Sequence, residues 1–222
     1  MAKATEALRN VDVAQMRAAL ASRISVLARS PGEHVTTIPG LSVFRRVEPT
    51  ACQRVFYEPS LAVFTQGRKF LNVGGVEYLC DHSSFVLSAV DIPVQSQVVE
   101  ASEKVPLLSM LLRLDMAVVR QVLSHEDLPE IESTSQRRGL VVGETTPALL
   151  SACDRLIQLL QTPEDIPFMA PLIQREIVYR ILRTPRASGC APLQPQAISV
   201  TGRREQLPDS GRTTQSRFIW TN

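Results

Sequence analysis

Apolar residues recur at spacings of three and four near the N-terminus: Val13, Met16, Leu20, Ile24 and Leu27. That period predicts an amphipathic helix over 12–29, capped by Asp12 and ended by Ser30-Pro31-Gly32, with Arg17 and Arg23 on its opposite face. From Leu41 to Leu114 the period changes to two. Leu41, Val43 and Val47 alternate with Ser42 and Arg46. Leu61, Val63 and Thr65 share one strand face, and Ala62, Phe64 and Gln66 share the other. Segments 69–73 and 76–80 flank Gly74-Gly75, a pair suited to a tight hairpin because both turn positions require positive φ. Val76, Tyr78 and Cys80 then fall on one face. Asp81-His82-Ser83 reads as another turn. Segments 84–88, 94–100 and 107–114 bring the set to about seven strands. Short strands at this spacing predict a barrel or sandwich, not a parallel sheet.

The helical period returns after Leu114. Residues 115–123 form a short candidate helix with Asp115 as cap, and 139–143 a small candidate strand. Thr146-Pro147 is a strong helix start, a hydroxyl cap followed by proline at the first helical position. Leu149, Leu150, Cys153, Leu156, Ile157 and Leu160 then make one apolar stripe, which Thr162-Pro163 stops. A further helix is predicted over 167–182, with Leu172, Ile173, Ile177, Tyr179 and Ile181 as its apolar positions. The short link between the two predicts an antiparallel pair. Periodicity fails beyond Leu182, and the proline-rich, polar stretch 184–222 is expected to be irregular or disordered. Its one apolar cluster is Phe218-Ile219-Trp220, and no internal repeats are visible.

Composition narrows the functional classes. A length of 222 residues, 44% of them hydrophobic and 21% charged, suits one generous globular domain, or one domain and a tail. A net charge of +2 makes no case for nucleic acid or for an acidic membrane surface. No apolar run approaches the roughly 18 residues that would span a bilayer. The first helix lacks the continuous apolar stretch of a signal peptide. Cys52, Cys80, Cys153 and Cys190 are scattered, without a C-x-x-C pair, and read as reduced thiols of a cytoplasmic protein.

Catalytic and metal chemistry find little support. A metal-bearing barrel needs two histidines two residues apart and a nearby carboxylate, whereas His34, His82 and His125 are isolated and fall at expected turns or helix ends. No metal, cofactor or catalytic residue is expected. No G-x-S-x-G elbow is present, and Gly74-Gly75 lies between strands, where a turn role outweighs a phosphate-binding one. Glu126-Asp127, Glu130 and Glu132 read as a solvated acidic loop. The basic pairs Arg45-Arg46, Arg68-Lys69, Arg137-Arg138 and Arg203-Arg204 are dispersed, and no helix-turn-helix pattern follows Gln136. What remains is a pocket inside the barrel. Phe64, Gln66, Lys69 and Tyr78 are the candidate ligand-binding residues. The plain structural reading keeps Phe64 and Tyr78 as core, and Gln66 and Lys69 as hairpin rim.

Several short segments, in order, resemble a known family. They are Tyr57-Glu58-Pro59, Gln66-Gly67-Arg68-Lys69, the Gly74 hairpin, Asp91-Ile92-Pro93, Glu100-Ala101-Ser102 with Pro106, and Arg175-Glu176-Ile177 with Tyr179-Arg180. Over 41–182 the chain resembles the N-terminal sensor domain of AraC-type (AraC/XylS) bacterial transcription regulators. The resemblance implies an α+β fold: a small cupin-like antiparallel β-barrel followed by an antiparallel helix pair. It implies a small-molecule effector of unstated identity, a homodimer, and no metal in this half. Members of the family continue into two helix-turn-helix units, and 184–222 cannot build them. A truncated gene or shifted reading frame is therefore expected, with no specific DNA binding by this chain.

The expected organisation is a helix and lead-in over 1–40, the barrel over 41–114, a helical dimerisation segment over 115–183 and the tail over 184–222. The expected function is effector sensing and dimerisation, non-enzymatic, with no membrane partner. Two other readings remain open: a stand-alone small-molecule-binding cupin, and a metal-independent cupin enzyme that would draw on Tyr78 and Lys69.

Overall fold

The alternating strands of the middle of the chain build two antiparallel sheets, one six-stranded and one four-stranded. The computed structural model describes residues 2–124 and 139–183, with side chains from Val13 onward. His125, the acidic loop, Cys190 and the tail 184–222 lie outside the described residues.

The strands are β1 (Gly32–Val35), β2 (Leu41–Arg46), β3 (Gln53–Tyr57), β4 (Ser60–Gln66) and β5 (Arg68–Val73), followed by β6 (Val76–Cys80), β7 (Ser84–Ser88), β8 (Ile92–Glu100), β9 (Leu107–Arg113) and β10 (Leu140–Glu144). The larger sheet runs β1-β2-β9-β4-β7-β10, and the smaller runs β3-β8-β5-β6. Helix α1 (Ala2–Leu27) precedes the strands, and α2 (Met116–Leu123), α3 (Pro147–Gln158) and α4 (Ile166–Arg183) follow β9. The fold is α+β: a flattened cupin-like antiparallel barrel with an antiparallel helix pair, α3 and α4.

Alternation along β2, β9 and β4 as far as Phe64 gives the larger sheet two distinct faces. Leu41, Val43, Leu61, Val63, Met110 and Leu112 point to one side and are fully buried. They join Leu20 and Ile24 of α1, Leu149, Leu150 and Leu156 of α3, and Ile173 and Ile177 of α4 in one apolar core. A second, smaller cluster lies between the two sheets and includes Phe64, Leu71, Cys80, Val86 and Val94. Ion pairs tie the helices together: Arg23 of α1 reaches Asp154 of α3 at 2.8 Å, and Arg155 of α3 reaches Glu176 of α4 at 2.5 Å.

Local signals account for most boundaries. The Asp115 carboxylate accepts from the Ala117 N–H at 2.8 Å and starts α2. The Thr146 hydroxyl accepts from the Leu149 N–H at 3.2 Å, with Pro147 at the first helical position of α3. Two short 3-10 turns, Leu159–Gln161 and Pro163–Asp165, absorb the reversal into α4. Gly74 and Gly75 have φ of 59° and 85°, as the hairpin between β5 and β6 requires. Cys153 packs inside the main core, where burial pushes its thiol up to about 12, so it is an inert apolar filler.

The structure corrects four expectations. Helix α1 begins at Ala2, so Asp12 lies within it and not at its start; residues 2–9 are mostly strong helix formers with no glycine or proline to break them. Strands β1 and β3 escape the periodicity because both are sheet edges whose residues are half-buried or exposed. His34 sits within β1, with Nε2 at 2.8 Å from the Ser30 carbonyl, and not at a turn. Leu172 is 50% exposed, since the buried stripe of α4 runs through Ile173, Ile177 and Ile181.

Two outcomes follow. Ile24→Ala removes a fully buried side chain at the junction of α1 with the larger sheet, and should cost about 2–5 kcal/mol in urea unfolding. The Glu176 carboxyl is held below its ordinary range by hydrogen bonds and charge from Arg155 and Arg180, against a smaller opposing effect of burial. A depressed carboxyl stabilises the fold above its unfolded-state value, and the contribution disappears as pH falls through the folded-state value. Glu176→Gln should therefore destabilise the fold slightly at neutral pH, by less than about 1 kcal/mol for so accessible a pair, read as a small drop in melting temperature. The gap between variant and wild type should close on acidification; a gap constant with pH would exclude this ion pair as its source.

Candidate functional site

The inner face of the larger sheet and the facing smaller sheet enclose a cavity of about 270 Å³. Its walls are apolar, with Phe44, Val55, Phe64, Val86, Val98 and Leu111 among them. Its exposed lining residues come from the edge strands β1 and β3 and from strand ends, so it opens along those edges. Phe56 stands there 78% exposed, an aromatic side chain at the mouth.

Polar groups punctuate these walls. Ser60, Ser88, Ser96 and Ser109 are all buried and all line the cavity. Ser60 donates to the Glu58 carbonyl at 2.8 Å and Ser88 to the Val90 carbonyl at 2.7 Å. Among the described residues, the hydroxyls of Ser96 and Ser109 bond to no protein group and are left for whatever fills the space.

Three cations reach the lining. Arg113 is exposed and pairs with Glu58 at 3.2 Å. Arg46 lies over the Phe44 ring, 6.0 Å from its centroid, and donates to the Arg45 carbonyl at 3.0 Å. Lys69 pairs in register with Val98, yet its ammonium ends 5.5 Å from the centroid of Tyr57 on β3, beyond the intervening β8. The side chain therefore crosses the inside of the smaller sheet. Neither Arg46 nor Lys69 forms an ion pair among the described residues.

Two irregularities lie beside these groups. The register of β5 against β8 shifts between Arg68 and Lys69. By ordinary alternation Arg68 faces outward to Glu100 at 2.9 Å and Lys69 faces inward. Gly67, with φ of 78°, brings the turn before β5 hard against β9: a Cβ there would lie 2.7 Å from Leu107.

Of the four candidate residues read from the sequence, Phe64 and Lys69 line the cavity together. Gln66 does not. A bulge between Phe64 and Gln66 breaks the alternation that would have kept them on one face. Gln66 instead donates to the Pro106 carbonyl at 2.8 Å. Tyr78, opposite Leu71, packs against the inner apolar cluster and is not part of the lining. Sequence reasoning missed Arg46, Tyr57 and the serines. The available signal was serine at inward positions of otherwise apolar strands, which periodicity treats as turn or noise.

Among the described residues, no three histidine, cysteine or carboxylate side chains gather to hold a metal ion. No helix among them is long and apolar enough to cross a membrane.

A cupin-like barrel with an internal, largely apolar cavity is the class of protein that this fold and site define. The chain belongs to the family described as the AraC-type transcriptional regulator N-terminus, whose sequence model matches residues 37–188. Among solved structures it is similar to ToxT from Vibrio cholerae with a bound unsaturated fatty acid, at 13% identity and TM-score 0.45, over 60% of this chain and 51% of that one. It is also similar to an apo ToxT variant from the same organism, at 16% identity and TM-score 0.47, over 66% and 57% of the two chains. The AraC-like transcriptional activator CuxR is a third, at 12% identity and TM-score 0.42, over 72% and 58%. The chain thus spans just over half the length of these proteins. No curated protein sequence matches it.

Proposed function

We propose that this chain is the effector-sensing and dimerisation part of an AraC-type transcription regulator, acting by binding and not by catalysis. The observation that carries the reading is the cavity between the sheets: enclosed, mostly apolar, with the Ser96 and Ser109 hydroxyls unbonded among the described residues and with Arg46 and Lys69 outside any ion pair. Such a space suits a small molecule oriented by a few polar groups. Family membership supports a regulatory role, in a cytoplasmic setting. Dimerisation is assigned to the segment 115–183, and within it to α4. Helix α3 spends its apolar stripe on the core, whereas α4 leaves Phe168 73% and Leu172 50% exposed, with Met169 beside them. DNA contact is not assigned to the described residues.

Thermal-shift screening against a panel of small metabolites tests the sensing role. At least one compound should raise the melting temperature of the wild type and leave Ala62→Trp unmoved. Ala62 lies on the inner face between Val86 and Leu111, so the larger side chain occupies the cavity. A compound that stabilised both proteins equally would place binding elsewhere. For the dimer, sedimentation of Phe168→Glu/Leu172→Glu should give a monomer where the wild type gives a dimer. A wild type that stays monomeric at high concentration would remove α4 from this role.

A further inference from the structure

We propose that the molecule this cavity takes is a compact apolar carboxylate, with its charged end on Lys69 and secondarily on Arg46; the inference rests on reading the cavity as the effector site.

The argument starts from unmet bonding capacity. Lys69 carries three N–H donors into a space walled by Val98, Tyr57 and Phe64, and no described residue offers it a carboxylate. Its one recorded partner is the face of Tyr57. Lys69 is half-buried, so its ammonium keeps access to the cavity and can meet an acceptor that enters there. Arg46 has one donor taken by its neighbour's carbonyl, which leaves it the weaker candidate. The lining carboxylates do not compensate: Glu58 is held by Arg113, and Glu33 stands exposed on the edge strand β1. An incoming anion therefore meets cations without having to break a protein ion pair.

Size and wall chemistry set the rest of the ligand. A cavity of about 270 Å³ falls just below the ~300–1,000 Å³ usual for drug-sized ligands, so the occupant is compact. Phe44, Val55, Phe64, Val86 and Leu111 require an apolar body. Ser96 and Ser109 provide two free hydroxyls, enough to complete hydrogen bonding around one small polar end.

Displacement of the neutral fluorophore N-phenyl-1-naphthylamine separates this inference from the reading beneath it. The dye should bind the wild type and lose affinity for Ala62→Trp. Benzoate and octanoate should then displace it at about tenfold lower concentration than benzamide and octanamide, the difference expected for a hydrogen-bonded charge. Lys69→Met should abolish the preference of the acid over its amide while still binding dye, and Arg46→Met should reduce it. Neither substitution removes an ion pair seen in the structure, and retained dye binding with an unchanged melting profile shows that each variant folds. Equal displacement by acid and amide, or a preference that survives in Lys69→Met, overturns the carboxylate assignment and leaves the cavity as a binding site. Dye that ignores the wild type, or binds Ala62→Trp equally well, overturns the cavity reading itself.

Discussion

The larger sheet is sealed on one face only. Helices α1, α3 and α4 cover Leu41, Val43, Leu61, Val63, Met110 and Leu112, and nearly all the large buried side chains lie in that layer. Burial there provides the main driving force for folding. The opposite face of the same strands is thereby relieved of building the core. It can carry Ser60, Ser88 and Ser109, keep a void, and remain folded. A cavity loses packing contacts and burial. In this protein the loss falls on the smaller cluster, while the helical layer stays closely packed.

That division places ligand and helices on the two faces of the same strands. Ser109 and Leu111 of β9 face the cavity, while Met110 and Leu112 alternate with them beneath the helices. One sheet thickness separates the two environments. The exposed apolar side chains of α4 belong to the helical layer as well. The cavity and the helical layer therefore lie on opposite sides of one sheet.

The chemistry of the cavity arises where regular pairing breaks. The bulge in β4 removes Gln66 from the lining, the register of β5 against β8 shifts beside Lys69, and Gly67 permits the close approach of the intervening turn to Leu107. Each is a local exception to strand geometry. Functional positions are where sequence rules are expected to conflict with one another.

Much of the architecture was legible in the chain because it depends on near neighbours. A period of two along 41–114, the Gly74-Gly75 hairpin, the Thr146-Pro147 start and the Asp115 cap each act over a few residues, and each predicted its element. Phe64 was legible as an inward residue for the same reason. The edge strands β1 and β3 were not, since their polar residues bury little and carry no period. Gln66 could not be assigned from alternation either, whereas Tyr78 faces inward with Cys80 as alternation expects but packs as core and not as lining. A bulge is set by pairing with β9, some forty residues away, and Tyr78 fills the inner cluster that the two sheets form together. The position of Lys69 over Tyr57, two strands away in the smaller sheet, and the contribution of Arg46 from the larger sheet depend on how the strands assemble. Local periodicity and capping determined the elements, because those forces act along the chain; long-range strand pairing and packing decided the site, because its groups meet only across it.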